Sequence, residues 1–378
     1  MTDIKTQCIH VNNEKRDLTG SVSVPIYQSA TFHHIGVGES TGYDYTRQQN
    51  PTREHLEKVV AALEGGSDAM AFTSGMAAIS ALMELFHPGD HIIASSDLYG
   101  GSIRLFHQIN TKNGLTFSFV DTTDIQNVKD ALQENTKAVF IETPSNPTML
   151  VTDIRAVSGL TKERGILLIV DNTFLTPYFQ RPLKLGADIV THSGTKYLGG
   201  HNDTLAGFLV VDDKILAEKL RHLLMSVGSG LSPFDSWLLI RGIKTLAVRM
   251  EKQQENAMAI AEWLRRHPKV KKVYYVGLAD HSSYEVSLNQ STGFGSMISF
   301  SVDTEDTARQ VLERVRIILY AESLGGVETL ITYPMLQTHA DLSKEERDAK
   351  GINETLLRLS VGLEFVDDLI EDLKQALA

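Results

Sequence analysis

The sequence predicts an α/β protein with a mainly parallel seven-stranded sheet and a smaller C-terminal α+β domain. Three observations predict it. Seven short apolar runs alternate with helical stretches between residues 69 and 211, and all-apolar strands joined by helices form parallel sheets covered on both faces. A long amphipathic stretch, Arg249 to Arg266, then bridges to a second unit. Beyond it strands and helices are segregated rather than alternating, as in α+β domains. The expected divisions are an arm over 1–50, a large domain over 51–245 and a C-terminal domain over 246–378.

A chain of 378 residues with 42% hydrophobic and 22% charged residues can bury a sizeable core. Its formal net charge of -11 argues against nucleic-acid and anionic-membrane partners. Cys8 is the single cysteine, so neither a disulfide framework nor a thiolate metal site is expected. The opening Met1-Thr2-Asp3-Ile4-Lys5 is not of signal-peptide type, and no apolar run approaches membrane-spanning length. A cytoplasmic location is therefore expected.

Residues 1–50 are polar and aperiodic, with Pro25 and Tyr43-Asp44-Tyr45-Thr46-Arg47 as their notable points. So long an aperiodic segment is expected to pack on something, such as another subunit, rather than form a free loop. Asn50-Pro51 starts a helix as cap and first position. Its apolar face is Leu56, Val59, Val60 and Leu63, and Gly65-Gly66 ends it. Strands are predicted over 69–72, 90–95, 115–120, 138–142, 166–170, 187–191 and 206–211. Helices are predicted over 77–86, 124–134 and 154–163, with Tyr99-Gly100-Gly101 in a loop. Residues 213–249 read as helical with a break at Gly228-Ser229-Gly230 and Ser232-Pro233. Strands over 270–276, 295–302 and 356–361 and helices over 304–316 and 366–377 complete the chain.

The stretch Ala187 to Asp203 is the one that bears on chemistry. An apolar strand runs through His192 into Ser193-Gly194-Thr195-Lys196, with Gly199-Gly200 beyond. A partly desolvated lysine has a lowered pKa and can form a Schiff base; a solvated lysine in a turn is the alternative. Ligands of parallel sheets sit beyond the carboxyl ends of the strands. That rule singles out Ser74-Gly75-Met76, Tyr99, Asn146, Asp171 and Lys196. Ser74, Gly75 and Met76 lie at a helix start, either an anion site or an ordinary cap. Asp171 follows five apolar residues, and a desolvated carboxylate needs a cation unless it caps the turn through Asn172 and Thr173. Tyr99 can stack on an aromatic ring or serve as packing. Pyridoxal 5'-phosphate meets all of these at once: aldehyde for Lys196, ring nitrogen for Asp171, ring face for Tyr99, phosphate for the helix start.

Several runs carry a family resemblance. They are Y-x-Y-x-R-x-x-N-P-T-R from Tyr43, T-S-G-M-A-A from Thr73, D-L-Y-G-G from Asp97 and E-T-P-S-N-P from Glu142. V-D-N-T-F from Val170, T-K-Y-L-G-G-H from Thr195, A-E-S-L-G-G from Ala321 and R-L-S-V-G-L-E from Arg358 continue the series. Nearly end to end and in order, the chain resembles the Cys/Met-metabolism pyridoxal-phosphate enzymes of trans-sulfuration. The resemblance implies the fold-type-I, aspartate aminotransferase-like architecture and a homotetramer built from catalytic dimers. It implies Lys196 as the Schiff-base residue, with Tyr45 and Arg47 reaching the cofactor phosphate of the neighbouring subunit. Ser193 and Thr195 match hydroxyls that position the phosphate or the lysine. Arg358 matches the arginine that grips the substrate α-carboxylate, a bidentate task, with Ser323 and Asn146 as helpers. Gly194 stands where alanine is common, and Thr73 and Asn202 where serine is common, without loss of a reactive group.

Within the family, methionine γ-lyases usually carry a cysteine where Gly101 lies and lack an acid at Glu322, and β-lyases typically have an aromatic residue at that position. An acid there goes with enzymes that make or handle cystathionine, its carboxylate pairing with the distal ammonium. The runs His201–Gly207, Ser232–Leu239 and Ile331–His339 look most like bacterial cystathionine γ-synthase/O-acetylhomoserine thiolyase members. The expected activity is therefore γ-replacement on an O-acylhomoserine by cysteine, with cystathionine lyase activity as the alternative. Lys196, Tyr99 and Tyr45 are the expected catalytic groups and small amino acids the partners. A nicotinamide dehydrogenase would need a glycine fingerprint after an early strand, and none is present. A metal site using His192, His201 and Asp203 lacks ligand spacing, so no metal is expected.

Overall fold

The computed structural model describes residues 2–10, 19–337, 347 and 350–378. Thr338 and His339, which end the Ile331–His339 run, and residues 11–18 of the expected arm lie outside them. Seven strands form the first sheet: β1 Asp68–Phe72, β2 His91–Ser95, β3 Thr116–Val120, β4 Thr136–Glu142, β5 Leu167–Asp171, β6 Ile189–Ser193 and β7 Gly207–Val211. Their order is β1-β7-β6-β5-β4-β2-β3, with all pairs parallel except those of β7. β7 returns beside β6 with no crossover helix between them, and a parallel neighbour would need one.

Alternating residues of these strands enter two cores. Val139, Ile141, Leu168, Val170, Val190 and Val210 face one side; Phe140, Ile169, Ile189, Leu209 and Val211 face the other. Burial on both faces is why the strands read as unbroken apolar runs. Helix Pro51–Glu64 begins as expected, with the Asn50 side chain accepting from the amides of Thr52 and Arg53, and ends at Gly65 with φ 79. The helical region after β7 divides into Lys214–Val227, Pro233–Ile243 and Leu246–Leu264.

Leu246–Leu264 joins the two halves. Its start packs Leu246, Ala247 and Met250 into the first core, and its end packs Ala257, Ile260, Ala261 and Leu264 beneath a second sheet. That sheet contains β8 Val270–Tyr274, β9 Met297–Val302, β10 Leu319–Tyr320, β11 Leu330–Thr332 and β12 Leu356–Ser360, ordered β10-β11-β12-β9-β8. Helices Glu305–Arg314 and Val366–Leu377 cover it through Ala308, Val311, Leu369 and Leu373. No helix among the described residues is long and apolar enough to cross a membrane.

Several local expectations are corrected. The loop at Tyr99 is a helix, Gly100–Leu105, continued by a π-helical turn over Phe106–Asn110. The two leading glycines hide it, while burial of Ile103, Leu105 and Phe106 stabilises it. The helix expected over 124–134 spans Ile125–Asp130, and that over 77–86 spans Gly75–Met83. Within the expected arm a short helix, Ile4–Ile9, buries Cys8, whereas Val22 and Val37 are almost fully exposed.

Candidate active site

The C-terminal ends of β4, β5 and β6 lie side by side and open into a cavity of about 480 Å3. Asp171 ends β5, and Lys196 follows β6 by a tight turn in which the Lys196 amide donates to the Ser193 carbonyl at 3.2 Å. The double glycine after it has a packing cause. Gly200 has φ 73, and a Cβ there would lie 2.2 Å from Nη1 of Arg249. Arg249 fixes this turn by donating from Nη1 to the Tyr197 carbonyl at 2.7 Å and from Nη2 to that of Gly242 at 2.9 Å. Gly194, the departure from alanine, accommodates the Phe208 ring, whose Cε2 would lie 2.5 Å from an added Cβ.

Lys196 Nζ donates to Ser323 Oγ at 2.9 Å. Burial, and then the Arg358 charge, push its pKa down to about 8, while Glu322 opposes them. A lysine in that state supplies free amine near neutral pH.

Arg358, on β12, is 1% exposed. Its Nη1 donates to Asn146 Oδ1 at 2.8 Å and its Nη2 to the Ser323 carbonyl at 3.1 Å, while its buried Nε has no partner. Burial lowers its pKa to about 10. A buried guanidinium with a donor unspent is suited to an incoming carboxylate.

The anion site is built at the helix Gly75–Met83. Ser74 Oγ accepts from the Ala77 amide at 3.0 Å, and the first-turn amides of Gly75 and Met76 have no helical acceptor. Ser193 and Thr195 stand on the same wall, the Thr195 hydroxyl also accepting from the Ala206 amide at 3.0 Å. Cβ atoms added at Gly75 and Gly207 would lie 3.1 Å from Ser193 Cβ and 2.1 Å from the Ser74 carbonyl oxygen. Glycine is needed for this close approach of backbones.

The Tyr99 ring rests over Gly101, where an added Cβ would lie 2.4 Å from Tyr99 Cε1. Asp171 is desolvated, which raises its pKa, and its Oδ1 accepts from the Thr173 amide at 3.0 Å. The first-turn amides of Gly75 and Met76, the desolvated Asp171 and the lowered Lys196 fit an aromatic aldehyde with a phosphate and a basic ring nitrogen. Pyridoxal phosphate has that donor and acceptor set.

Of the expected site residues, Ser74, Gly75, Met76, Tyr99, Asn146, Asp171, Ser193, Thr195, Lys196, Glu322, Ser323 and Arg358 line this one cavity. Tyr45 and Arg47 do not. Tyr45 is 45% exposed, the Arg47 guanidinium lies 5.7 Å from its ring centroid, and Arg47 Nη1 donates to the Met225 carbonyl at 2.6 Å. Sequence reasoning missed Glu142, Thr173 and Gln337, which also line the cavity. Glu142 sits in a motif that was quoted, but its chemical relation to Asp171 depends on strand register. A separate cleft of about 760 Å3, walled by Asp97, Asp121, Lys271 and Lys272, contains neither Lys196 nor Asp171. Among the described residues no three or more His, Cys, Asp or Glu side chains are grouped to hold a metal ion.

The fold and this site define a pyridoxal-phosphate-dependent enzyme of the aspartate aminotransferase-like fold. Residues 5–378 match the family model for Cys/Met metabolism PLP-dependent enzymes, and the chain belongs to that family. It is 48% identical over 377 residues to the cystathionine beta-lyase of Lactococcus lactis subsp. cremoris (strain MG1363), covering 100% of this chain and 99% of the relative. It is 49% identical over 374 residues to the cystathionine gamma-synthase/O-acetylhomoserine (thiol)-lyase of Bacillus subtilis (strain 168), covering 99% and 96%. The crystal structure of cystathionine gamma-lyase from Lactobacillus plantarum complexed with L-serine superposes with TM-score 0.97 at 44% identity, covering 99% of this chain and 98% of the other. Trans-sulfuration chemistry is common to the three, and their reactions differ.

Proposed function

We propose that this enzyme catalyses γ-replacement on an O-acylhomoserine by cysteine, giving cystathionine, with sulfide as a further sulfur donor. The carrying observation is Glu322 on the wall of the cavity that holds Lys196 and Arg358. An amino acid bound through its α-carboxylate at Arg358 then meets a carboxylate for a distal ammonium, as cysteine or the cysteinyl half of cystathionine presents. Pyridoxal phosphate, held by Lys196, Asp171, Tyr99, Ser193, Thr195 and the Ser74–Met76 amides, supplies the electron sink for a carbanion at the substrate Cα.

The chain's own groups do the rest. Arg358, braced by Asn146 and Ser323, binds and orients the substrate carboxylate. Asp171 would pair with the ring nitrogen of the bound cofactor and hold its proton. Lys196, once free, takes the proton from Cα and moves protons at Cβ, and Ser323 Oγ, 2.9 Å from its Nζ, holds it in reach. Tyr99 would stack on the ring of the bound cofactor and assist that transfer, and Tyr45, contributed to a neighbouring subunit's site, would act near the γ-leaving group.

Tyr45 and Arg47 lie outside this chain's own cavity, which supports an assembly in which residues 1–50 complete a neighbour's site. We extend the proposal to a cytoplasmic homotetramer of catalytic dimers, with domains over 51–245 and 246–378. A second reading, cleavage of cystathionine, is favoured by the lyase relatives at 48% and 44% identity. Parallel assays with O-acetyl- or O-succinylhomoserine plus cysteine, and with cystathionine alone, separate the readings. Cystathionine formation at the higher kcat/KM supports the synthase. Faster release of 2-oxobutanoate and cysteine makes it a γ-lyase, and pyruvate with homocysteine a β-lyase.

A further inference from the structure

Beside Asp171 stands a second buried carboxyl group that the mechanism above does not use. Glu142 ends β4 and is the register partner of Asp171 at the end of β5. In a parallel pair, register partners project from the same face of the sheet. Both side chains line the cavity, and Glu142 is 7% exposed. Its Oε2 accepts from the Tyr99 amide at 2.8 Å. Tyr99 is the residue from which helix Gly100–Leu105 starts, and that start has no side-chain cap of its own.

We propose that Glu142 is a positioning residue for the cofactor, anchoring the backbone that carries the Tyr99 ring and leaving Asp171 as the carboxylate that faces the ring nitrogen. The charge of Asp171 beside it disfavours ionisation of Glu142. Burial, then the charge of Asp171, raise the proton affinity of Glu142 well above the carboxylate range, with Asp97 adding to them and the Tyr99 amide and Arg358 opposing. Burial raises the proton affinity of Asp171 as well, partly offset by the Thr173 hydroxyl and amide and by His192.

This inference rests on the assignment of Asp171 to the ring nitrogen and of Tyr99 to the ring face. It is tested by titrating cofactor-free protein with pyridoxal phosphate and following absorbance, with Tm measured on each variant. Glu142→Gln retains an acceptor oxygen for the Tyr99 amide and should bind within about threefold of wild type. Glu142→Ala should bind about tenfold more weakly, or ~1.4 kcal/mol, the scale of one buried hydrogen bond. Wild-type affinity in Glu142→Ala, or weakening of Glu142→Gln as large as in Glu142→Ala, overturns the proposal. If Glu142→Ala does not fold, the Glu142→Gln titration decides alone, with near wild-type binding supporting and a tenfold loss refuting. Asp171→Asn and Tyr99→Ala, titrated in parallel, report on the underlying assignments: unchanged affinity in both makes those assignments fail whatever Glu142 does.

Discussion

Lys196 Nζ, on the large sheet's side of the cavity, donates to Ser323 Oγ at 2.9 Å, and Ser323 adopts a φ of 92° to present that hydroxyl. A non-glycine residue in the left-handed region is uncommon and marks a backbone held by its surroundings. Arg358 supplies part of that hold by donating to the Ser323 carbonyl at 3.1 Å. Lys196 and Arg358 are thereby coupled through one serine.

Cofactor loading should depend on pH through Lys196. Its pKa, lowered to about 8 by burial and Arg358, means that the ammonium dominates below that value and the free amine above it. The rate at which cofactor-free enzyme takes up pyridoxal phosphate should rise about tenfold per pH unit below 8 and level off above it. Ser323→Ala removes an acceptor that favours the ammonium, so the midpoint should move to lower pH. Stopped-flow absorbance checks both; an unmoved midpoint contradicts the coupling.

Arg358→Lys keeps the charge but loses the fork that reaches Asn146 and Ser323. The expected loss in kcat/KM is ~1.5–3 kcal/mol, the scale of a hydrogen bond to a charged group. It should be carried mainly by KM. Steady-state kinetics with a saturable amino-acid substrate measure the split, and an unchanged KM counts against carboxylate binding.

Gly101→Ala should displace the Tyr99 ring, because the new Cβ would lie 2.4 Å from Tyr99 Cε1. A side chain can move where a backbone cannot, so Tm should change little while cofactor affinity falls. Gly207→Ala should do the opposite, since its Cβ would lie 2.1 Å from the Ser74 carbonyl oxygen. Overpacking against backbone should destabilise the fold by ~1–3 kcal/mol. Thermal melts beside cofactor titrations distinguish the two patterns.

If Tyr45 and Arg47 complete a neighbour's site, two inactive variants should rescue each other. Tyr45→Ala with Arg47→Ala on one chain, mixed with Lys196→Ala on another and reassembled, should regain about a quarter of wild-type activity per site, by random pairing of intact halves. No regain in verified hetero-oligomers would place Tyr45 and Arg47 in their own chain's chemistry or outside it.

Much of this site was legible because parallel-strand chemistry collects at strand ends. Asp171 after Leu167–Val170 and Lys196 after Ile189–Ser193 follow from apolar runs that stop at a reactive residue. Glu142 was not legible as a site residue, because its pairing with Asp171 is a fact of register between strands 25 residues or more apart in sequence. The helix at Gly100–Leu105 was hidden by its glycines, and β10 and β11, of two and three residues, are too short for any period to register. The fold beyond residue 245 was read from amphipathic helices such as Val366–Leu377, whose Leu369, Leu373 and Leu377 share one buried face.

The most direct test of the central claim, that Lys196 carries the cofactor, is borohydride reduction of the loaded enzyme followed by peptide mass spectrometry. The account predicts a reduced phosphopyridoxyl group on the peptide containing Lys196, and none on Lys196→Ala protein. Labelling of a different lysine, or equal labelling of the Lys196→Ala variant, would contradict it.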